Sequence, residues 1–265
     1  ASGGKFTFDL NGKEIRSESY TFYLNNSTEI TITDTVGGGS VVCTSAGGSA
    51  ILVDETAVKL TIEGGRFEGG NYAIRINKPS STETSLAEIT ILDGTFVSNH
   101  PHSPAINVDC SLVTVMGGNF EESNLDFALT SGTLDVSLYD DPAGLVIANH
   151  TGEDVSVPTE NIKLPDGYGL YRDGVLVNPL VHSFSYTVEL ITYNFDYVHN
   201  EFGTVTASHS DGKYTPGTVV TFEITPNDGY VISHIEVTGA SYDYETNSIT
   251  ILDSDVSVTV LFELH

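Results

Sequence analysis

The chain is poor in cysteine, in basic residues and in long apolar runs, and each shortage closes off a class of protein. Its two cysteines, Cys43 and Cys110, cannot build a disulfide framework, and their spacing matches no zinc site. They read as small buried side chains. Only ten Lys and Arg face 36 Asp and Glu, for a net charge of −26. Such a chain repels phosphate backbones and anionic lipid surfaces, which excludes nucleic acid as a partner. The acids are spread along the chain: residues 187–265 hold 12 acids and one Lys, the remainder 24 acids and nine bases. That distribution favours solubility rather than steering toward one patch. No apolar run reaches the roughly 18 residues of a membrane span, so no membrane insertion is expected. The opening Ala1-Ser2-Gly3-Gly4-Lys5 lacks a signal-peptide core and reads as the start of a mature or trimmed fragment. Neither a Gly-x-Ser-x-Gly nucleophile elbow nor a phosphate loop occurs.

Strand and turn residues are abundant. Hydrophobic residues make up 39% of the 265, enough for a continuous core, and 26 Gly with many Thr, Ser, Asn and Asp punctuate it with turns. The class is all-β. An apolar-polar-apolar triplet returns as Phe6-Thr7-Phe8, Ile30-Thr31-Ile32, Leu60-Thr61-Ile62, Ile89-Thr90-Ile91, Val113-Thr114-Val115, Leu134-Asp135-Val136 and Val155-Ser156-Val157. The central residues lie 24, 30, 29, 24, 21 and 21 apart. A second strand recurs in the same order: Phe22-Tyr23-Leu24-Asn25, Ile51-Leu52-Val53-Asp54, Ile74-Arg75-Ile76-Asn77, Ile106-Asn107-Val108-Asp109 and Val146-Ile147-Ala148-Asn149. A third position carries an aromatic behind glycine, at Phe67, Phe96 and Phe120. Three strand sites per repeat make a three-sided coil, and stacked coils bury what one alone cannot. The expectation is a right-handed three-sided parallel β-helix of about seven rungs over residues 1–158. Period 2 sends the apolar residues inward, leaves the Thr residues as an outer ladder and stacks the three Phe rings inside. Among the Thr-centred triplets only Ile30-Thr31-Ile32 extends to a Thr-x-Thr pair, Thr31 and Thr33, so the ladder is cross-strand packing and not an ice-binding array.

After residue 158 the triplet disappears, and Pro165, Gly167, Gly169, Gly174 and Pro179 mark a cap or linker over 159–186. From residue 187 to 265, strand-like runs such as Val219-Val220-Thr221-Phe222-Glu223-Ile224 and Val256-Ser257-Val258-Thr259-Val260-Leu261-Phe262 alternate with turns. They predict a small, separate antiparallel or mixed β module.

Two resemblances follow from these residues. Phe8-Asp9-Leu10-Asn11-Gly12-Lys13-Glu14-Ile15, the glycine-led aromatic rungs and Leu164-Pro165-Asp166-Gly167-Tyr168 resemble the pectate-lyase-like β-helix regions of large bacterial surface proteins. Gly217-Thr218-Val219-Val220-Thr221-Phe222, Pro226-Asn227-Asp228-Gly229-Tyr230-Val231 and Asp255 through Phe262 are similar to the divergent internalin B-repeat family. The resemblances imply a secreted or cell-surface location and a role in adhesion, display, or contact with a glycan or host surface protein. They supply no catalytic residue: the glycoside-hydrolase β-helix pattern needs several Asp around a Gly-His-Gly, which is absent, and Asp140-Asp141 alone does not suffice.

One constellation carries potential chemistry, on the outer side of the second recurring strand. Arg75 is expected one rung from Leu52 and Asn107 and near Asp54, Asn77 and Asp109. Tyr23, Arg75 and Asn107 are the expected ligand-binding residues. No cofactor is expected; calcium is the one ion considered, with Asp54, Asn77 and Asp109 as its ligands. The plainer reading is that strand-end Asp and Asn cap turns and that Arg75 makes a surface ion pair. Tyr20, Tyr23, Tyr72, Tyr242 and Tyr244 are candidates for stacking on sugar rings. His100 and His102 flank Pro101 in a loop with no third ligand in view. The expectation is a non-enzymatic surface module; the alternative is a calcium-dependent polysaccharide lyase or other glycan-active β-helix enzyme. What separates the two is basic residues, because a groove for acidic polysaccharide needs several on one face. The chain offers mainly Arg66, Arg75 and Lys78.

Overall fold

The computed structural model describes residues 4–25, 28–54, 57–77, 87–121, 124–149, 161–177 and 184–265. Among them there is no α-helix, hence no helix long and apolar enough to cross a membrane. The chain forms two compact units, Ala1–Glu189 and Leu190–His265.

The first unit is a parallel β-solenoid with three faces. The recurring triplets build the first face: β1 (Lys5–Asp9), β4 (Glu29–Thr33), the first half of β7 (Lys59–Gly69), the first half of β9 (Ala87–Ser98), β11 (Ser111–Val115), β14 (Gly132–Asp135) and β16 (Ile162–Lys163). The second face holds β2 (Glu14–Ser17), β5 (Ser40–Cys43), the later halves of β7 and β9, and β12 (Asn119–Glu121). The third holds β3 (Phe22–Leu24), β6 (Ser49–Val53), β8 (Tyr72–Ile76), β10 (Ile106–Val108), β13 (Phe127–Leu129) and β15 (Val146–Asn149).

Register follows from the period-2 pattern, because a one-residue slip would turn every buried Ile and Val out to solvent. Thr7, Thr31, Thr61, Thr90 and Thr114 are aligned on successive turns, and the apolar residues beside them point inward. Beside the Thr ladder, Lys5–Glu29 at 2.7 Å and Lys59–Glu88 at 2.9 Å alternate charge along the face, which keeps like charges from lying opposite one another. On the third face Ile51, Ile74, Ile106, Phe127 and Ile147 form one buried column. On the second, Phe67, Phe96 and Phe120 stack with centroids 5.5 Å apart at each step and interplanar angles of 10° and 24°. The glycine before each ring has a conformational reason. Gly65, Gly94 and Gly118 turn the corner between first and second faces at φ of 97°, 129° and 107°, a region costly for any residue with a Cβ.

Among the described residues the solenoid has five complete three-sided turns, not seven rungs. Six expected triplets occupy the first face, but Val155-Ser156-Val157 lies outside the described residues, and the seventh row is Ile162-Lys163, paired with Leu134-Asp135. The second face ends at β12 for a visible reason. Ser137 folds back on Asp135 Oδ1 through its N–H (3.1 Å) and its hydroxyl (2.6 Å), closing a turn. Tyr139 then packs its ring 6.4 Å from Phe120 and donates its hydroxyl to the Gly118 carbonyl at 2.8 Å. The ring covers the Phe stack that a sixth second-face strand would otherwise continue.

Parts of the stretch expected to be a cap or linker over 159–186, together with the first residues assigned to the following module, pack on the solenoid core. Strand β19 (Ser185–Leu190) runs antiparallel to β15 and buries Tyr186 and Val188, while β17 (Tyr168–Arg172) pairs with β19 and buries Leu170. Strand reversal stops the parallel ladder, and the two-residue β18 (Val175–Leu176) leaves only a short edge beyond it.

The second unit has two four-stranded sheets around Phe195, Val220, Phe222, Ile249, Val258 and Phe262. One runs β22 (Gly212–Tyr214), β20 (Tyr193–His199), β27 (Val256–Leu264), β24 (Tyr230–Thr238); the other runs β21 (Gly203–Ala207), β23 (Val219–Pro226), β26 (Ser248–Thr250), β25 (Tyr242–Asp243). Only β20 and β27 pair in parallel, so the module is mixed.

Candidate functional site

The outer side of the third face gathers several of the expected residues. Alternation along β3, β6 and β8 puts Tyr23, Leu52 and Arg75 in one row, with Asp54 and Asn77 at the strand ends beside it. Tyr23 is 52% exposed, and its hydroxyl donates to Asp54 Oδ2. The Asn77 amide donates to the other oxygen, Oδ1, at 2.6 Å. The main chain fixes the pair as well, since Asp54 N–H donates to the Leu24 carbonyl at 3.0 Å and Asn77 N–H to the Val53 carbonyl at 2.9 Å.

These bonds set the electrostatics. The Tyr23 hydroxyl, then the Asn77 amide, then the Arg75 charge hold the Asp54 carboxyl below the ordinary carboxylate range, outweighing the opposing effect of partial burial. Asp54 therefore stays ionised, and each of its oxygens already accepts a hydrogen bond. The guanidinium of Arg75 lies 5.9 Å from the Tyr72 ring centroid, a cation–π contact. It forms no ion pair among the described residues, which corrects the expectation of a surface ion pair there.

Asn107 and Asp109 do not join this cluster through hydrogen bonds. Asn107 accepts from the Ile76 N–H at 2.6 Å and donates to the Ile76 carbonyl at 2.7 Å, bracing the irregular junction of β8 and β10. Asp109 accepts from Ser131 Oγ at 2.6 Å, one turn further along. The three expected calcium ligands are thus divided between an Asp54–Asn77 pair and a separate Asp109–Ser131 pair. No group of three or more His, Cys, Asp or Glu suited to a metal occurs among the described residues. His100 Nδ1 accepts the His102 N–H at 3.2 Å and contacts Ser103 Oγ at 3.1 Å, while Ser103 Oγ donates to Asn71 Oδ1 and the Asn124 amide donates to the Pro101 carbonyl at 2.9 Å, so the loop is tied to its neighbours by ordinary hydrogen bonds. Lys78, one of the few bases, lies outside the described residues.

Two features escaped the sequence reading. A groove of about 470 Å³ follows the corner between first and second faces, lined by Asp34, Glu63, Asp93 and Arg66 with Gly38, Gly64 and Gly94 between them. Its signal was an acid followed by glycine after two successive triplets, Glu63-Gly64 and Asp93-Gly94, with Asp34 three residues before Gly37. Much of that acidity is structural: Asp34 receives the N–H groups of Gly12 (2.7 Å) and Gly39 (2.6 Å), and Arg66 is tied to Glu121 at 2.6 Å. The other feature is in the second unit, where Phe202 and Tyr230 stack at 4.8 Å and 4° beside the exposed Ile232 and Leu264. No local pattern announced this contact, because the two rings are 28 residues apart.

No curated protein and no solved structure matches this chain. Residues 193–265, which make up nearly all of the second unit, match the divergent InlB B-repeat domain family.

Proposed function

We propose that this chain is a non-enzymatic module of a bacterial surface protein, secreted or held at the cell surface, whose solenoid touches a glycan or a host surface protein. The observation that carries the reading is the row on the third face. A half-exposed Tyr23 ring is held by its own hydroxyl to an ionised Asp54 one turn along, and the Asn77 amide and the Arg75–Tyr72 pair lie on the turn after that. An aromatic face offers a stacking surface for sugar C–H groups, and the flanking carboxylate, amide and guanidinium offer fixed partners for hydroxyls. The B-repeat match supports the surface assignment, since that family is a surface-protein module. The chemistry of Asp54 supports a binding role over a catalytic one: a carboxyl held below its usual range is a poor proton acceptor near neutral pH.

The test is a glycan array probed with the full chain and with Tyr23→Ala and Arg75→Ala. Both changes are on the surface and leave the melting temperature near that of the parent. Glycan binding lost in Tyr23→Ala supports the reading, and binding indifferent to both changes refutes it. In parallel, incubation with polygalacturonate, alginate and neutral plant glycans, with and without calcium, yields no unsaturated products or new reducing ends. Calcium-dependent product formation abolished by Arg75→Ala would overturn the non-enzymatic reading.

A further inference from the structure

The four sheet edges of the second unit are unequal. Strands β22, β25 and β21 are three, two and five residues long, whereas β24 runs for nine, Tyr230–Thr238. Its one strand neighbour among the described residues is β27, so the alternate N–H and C=O groups on its other side face outward. Edges of this length are commonly blunted by Lys, Pro, inward charges or bulges. Strand β24 contains no Lys or Pro, and its bulge lies near its start, between Ile232 and His234. From His234 to Thr238 the register with β27 is regular.

This edge also leaves the core incompletely covered. Val258 and Val260 of β27 are fully buried, yet their register partners on β24, Val237 and Ile235, remain half-exposed. At the start of the strand, Tyr230 stacks on Phe202, and Leu264, its register partner, is 74% exposed. Apolar side chains are therefore presented at alternate positions along an open edge, with an aromatic platform at one end.

Charge indicates the occupant. The second unit carries 11 acidic residues against the single Lys213, and Glu236 projects from the regular part of β24. A second copy of this unit would bring like charges together. We infer that β24 is a docking edge for an extended, cationic segment of another protein. That segment adds as a further strand beyond β24, its apolar residues covering Ile235 and Val237 and its Lys or Arg residues meeting Glu236. Main-chain bonds supply the affinity of such strand addition, while alternate side chains and charge supply the selectivity.

The experiment titrates the full chain at low salt with two nine-residue probe peptides, one alternating Val with Lys and the other alternating Val with Glu. Binding is followed by calorimetry and by amide hydrogen exchange. The expected result is binding of the Val–Lys peptide alone, slower exchange concentrated in His234–Thr238, and a loss of about tenfold in affinity for Glu236→Lys. Glu223→Lys, at an exposed position of β23 in the other sheet, serves as the charge-matched control and leaves the affinity within about twofold. Protection absent from β24, equal binding of both peptides, or equal loss in the two variants would each overturn the assignment. So would self-association of the chain, seen by sedimentation, that protects β24 without peptide.

Discussion

Asp126 is a buried carboxyl in an otherwise apolar part of the solenoid, and the stability of the protein depends on its protonation. It is 9% exposed, and Oδ2 accepts one hydrogen bond, from the Val146 N–H at 2.7 Å. Desolvation pushes its pKa up to about 6, against a partly opposing effect of that hydrogen bond. The sign follows directly. Below the ordinary value of 3.8 the group is protonated whether the chain is folded or not, and the folded state carries no buried charge. Between that value and about 6 the folded chain binds the proton more tightly than the unfolded chain, so stability falls as pH rises. Above about 6 the loss is complete. A displacement of roughly 2 pH units corresponds to about 3 kcal/mol at most. Asp126→Asn keeps an oxygen that can accept from Val146 and removes the charge. The expected outcome is a solenoid more stable than the parent by up to about 3 kcal/mol at pH 8, with the advantage vanishing below pH of about 4. At about 2–4 °C per kcal/mol for a unit of this size, the solenoid transition rises by several degrees at pH 8. The assay is urea and thermal unfolding of both proteins across this pH range. A variant that is less stable at pH 8, or whose difference from the parent is flat with pH, would refute the buried-charge argument. Asp54 and Asp135 have lowered pKa values and contribute in the opposite sense, losing stability only as pH falls below the usual carboxylate range, which leaves the window between to Asp126.

Four further outcomes are expected. Ile62→Asp places a carboxylate in the fully buried first-face column and destabilises the solenoid by several kcal/mol, so an unchanged melting temperature would contradict the inward assignment of that triplet. Gly132→Ala costs about 1–3 kcal/mol, because the residue has φ of 98° and its Cβ would approach the Ser111 carbonyl oxygen to 2.2 Å; chemical denaturation measures it, and a neutral result would count against this tight crossing. Residues 190–265 expressed alone unfold cooperatively because they hold their own core, and a solenoid ending at residue 184 melts below one ending at Glu189 because it lacks Tyr186 and Val188; equal melting would remove β19 from the cap.

The sequence by itself determined which side chains face inward and which residues share a rung. Both properties have short periods, two along a strand and 21 to 30 between turns, and every triplet from Phe6-Thr7-Phe8 to Leu134-Asp135-Val136 was legible for that reason. The same regularity exposed the Phe67, Phe96 and Phe120 stack and placed Tyr23, Arg75, Asp54 and Asn77 on one outer face. Only tertiary structure decided where the repeat ends, because the ending is a contact between non-repeating residues: Tyr139 closes over Phe120, and β19 reverses against β15. It also decided how the candidate site divides. Periodicity aligns Asn77 with Asp109, but hydrogen bonds are won by the nearest competing group, so Asn77 turns to Asp54, Asp109 to Ser131 and Asn107 to the Ile76 main chain. In the second unit, alternation marked the strands, while pairing order and the open edge at β24 came from contacts across tens of residues that no local pattern encodes.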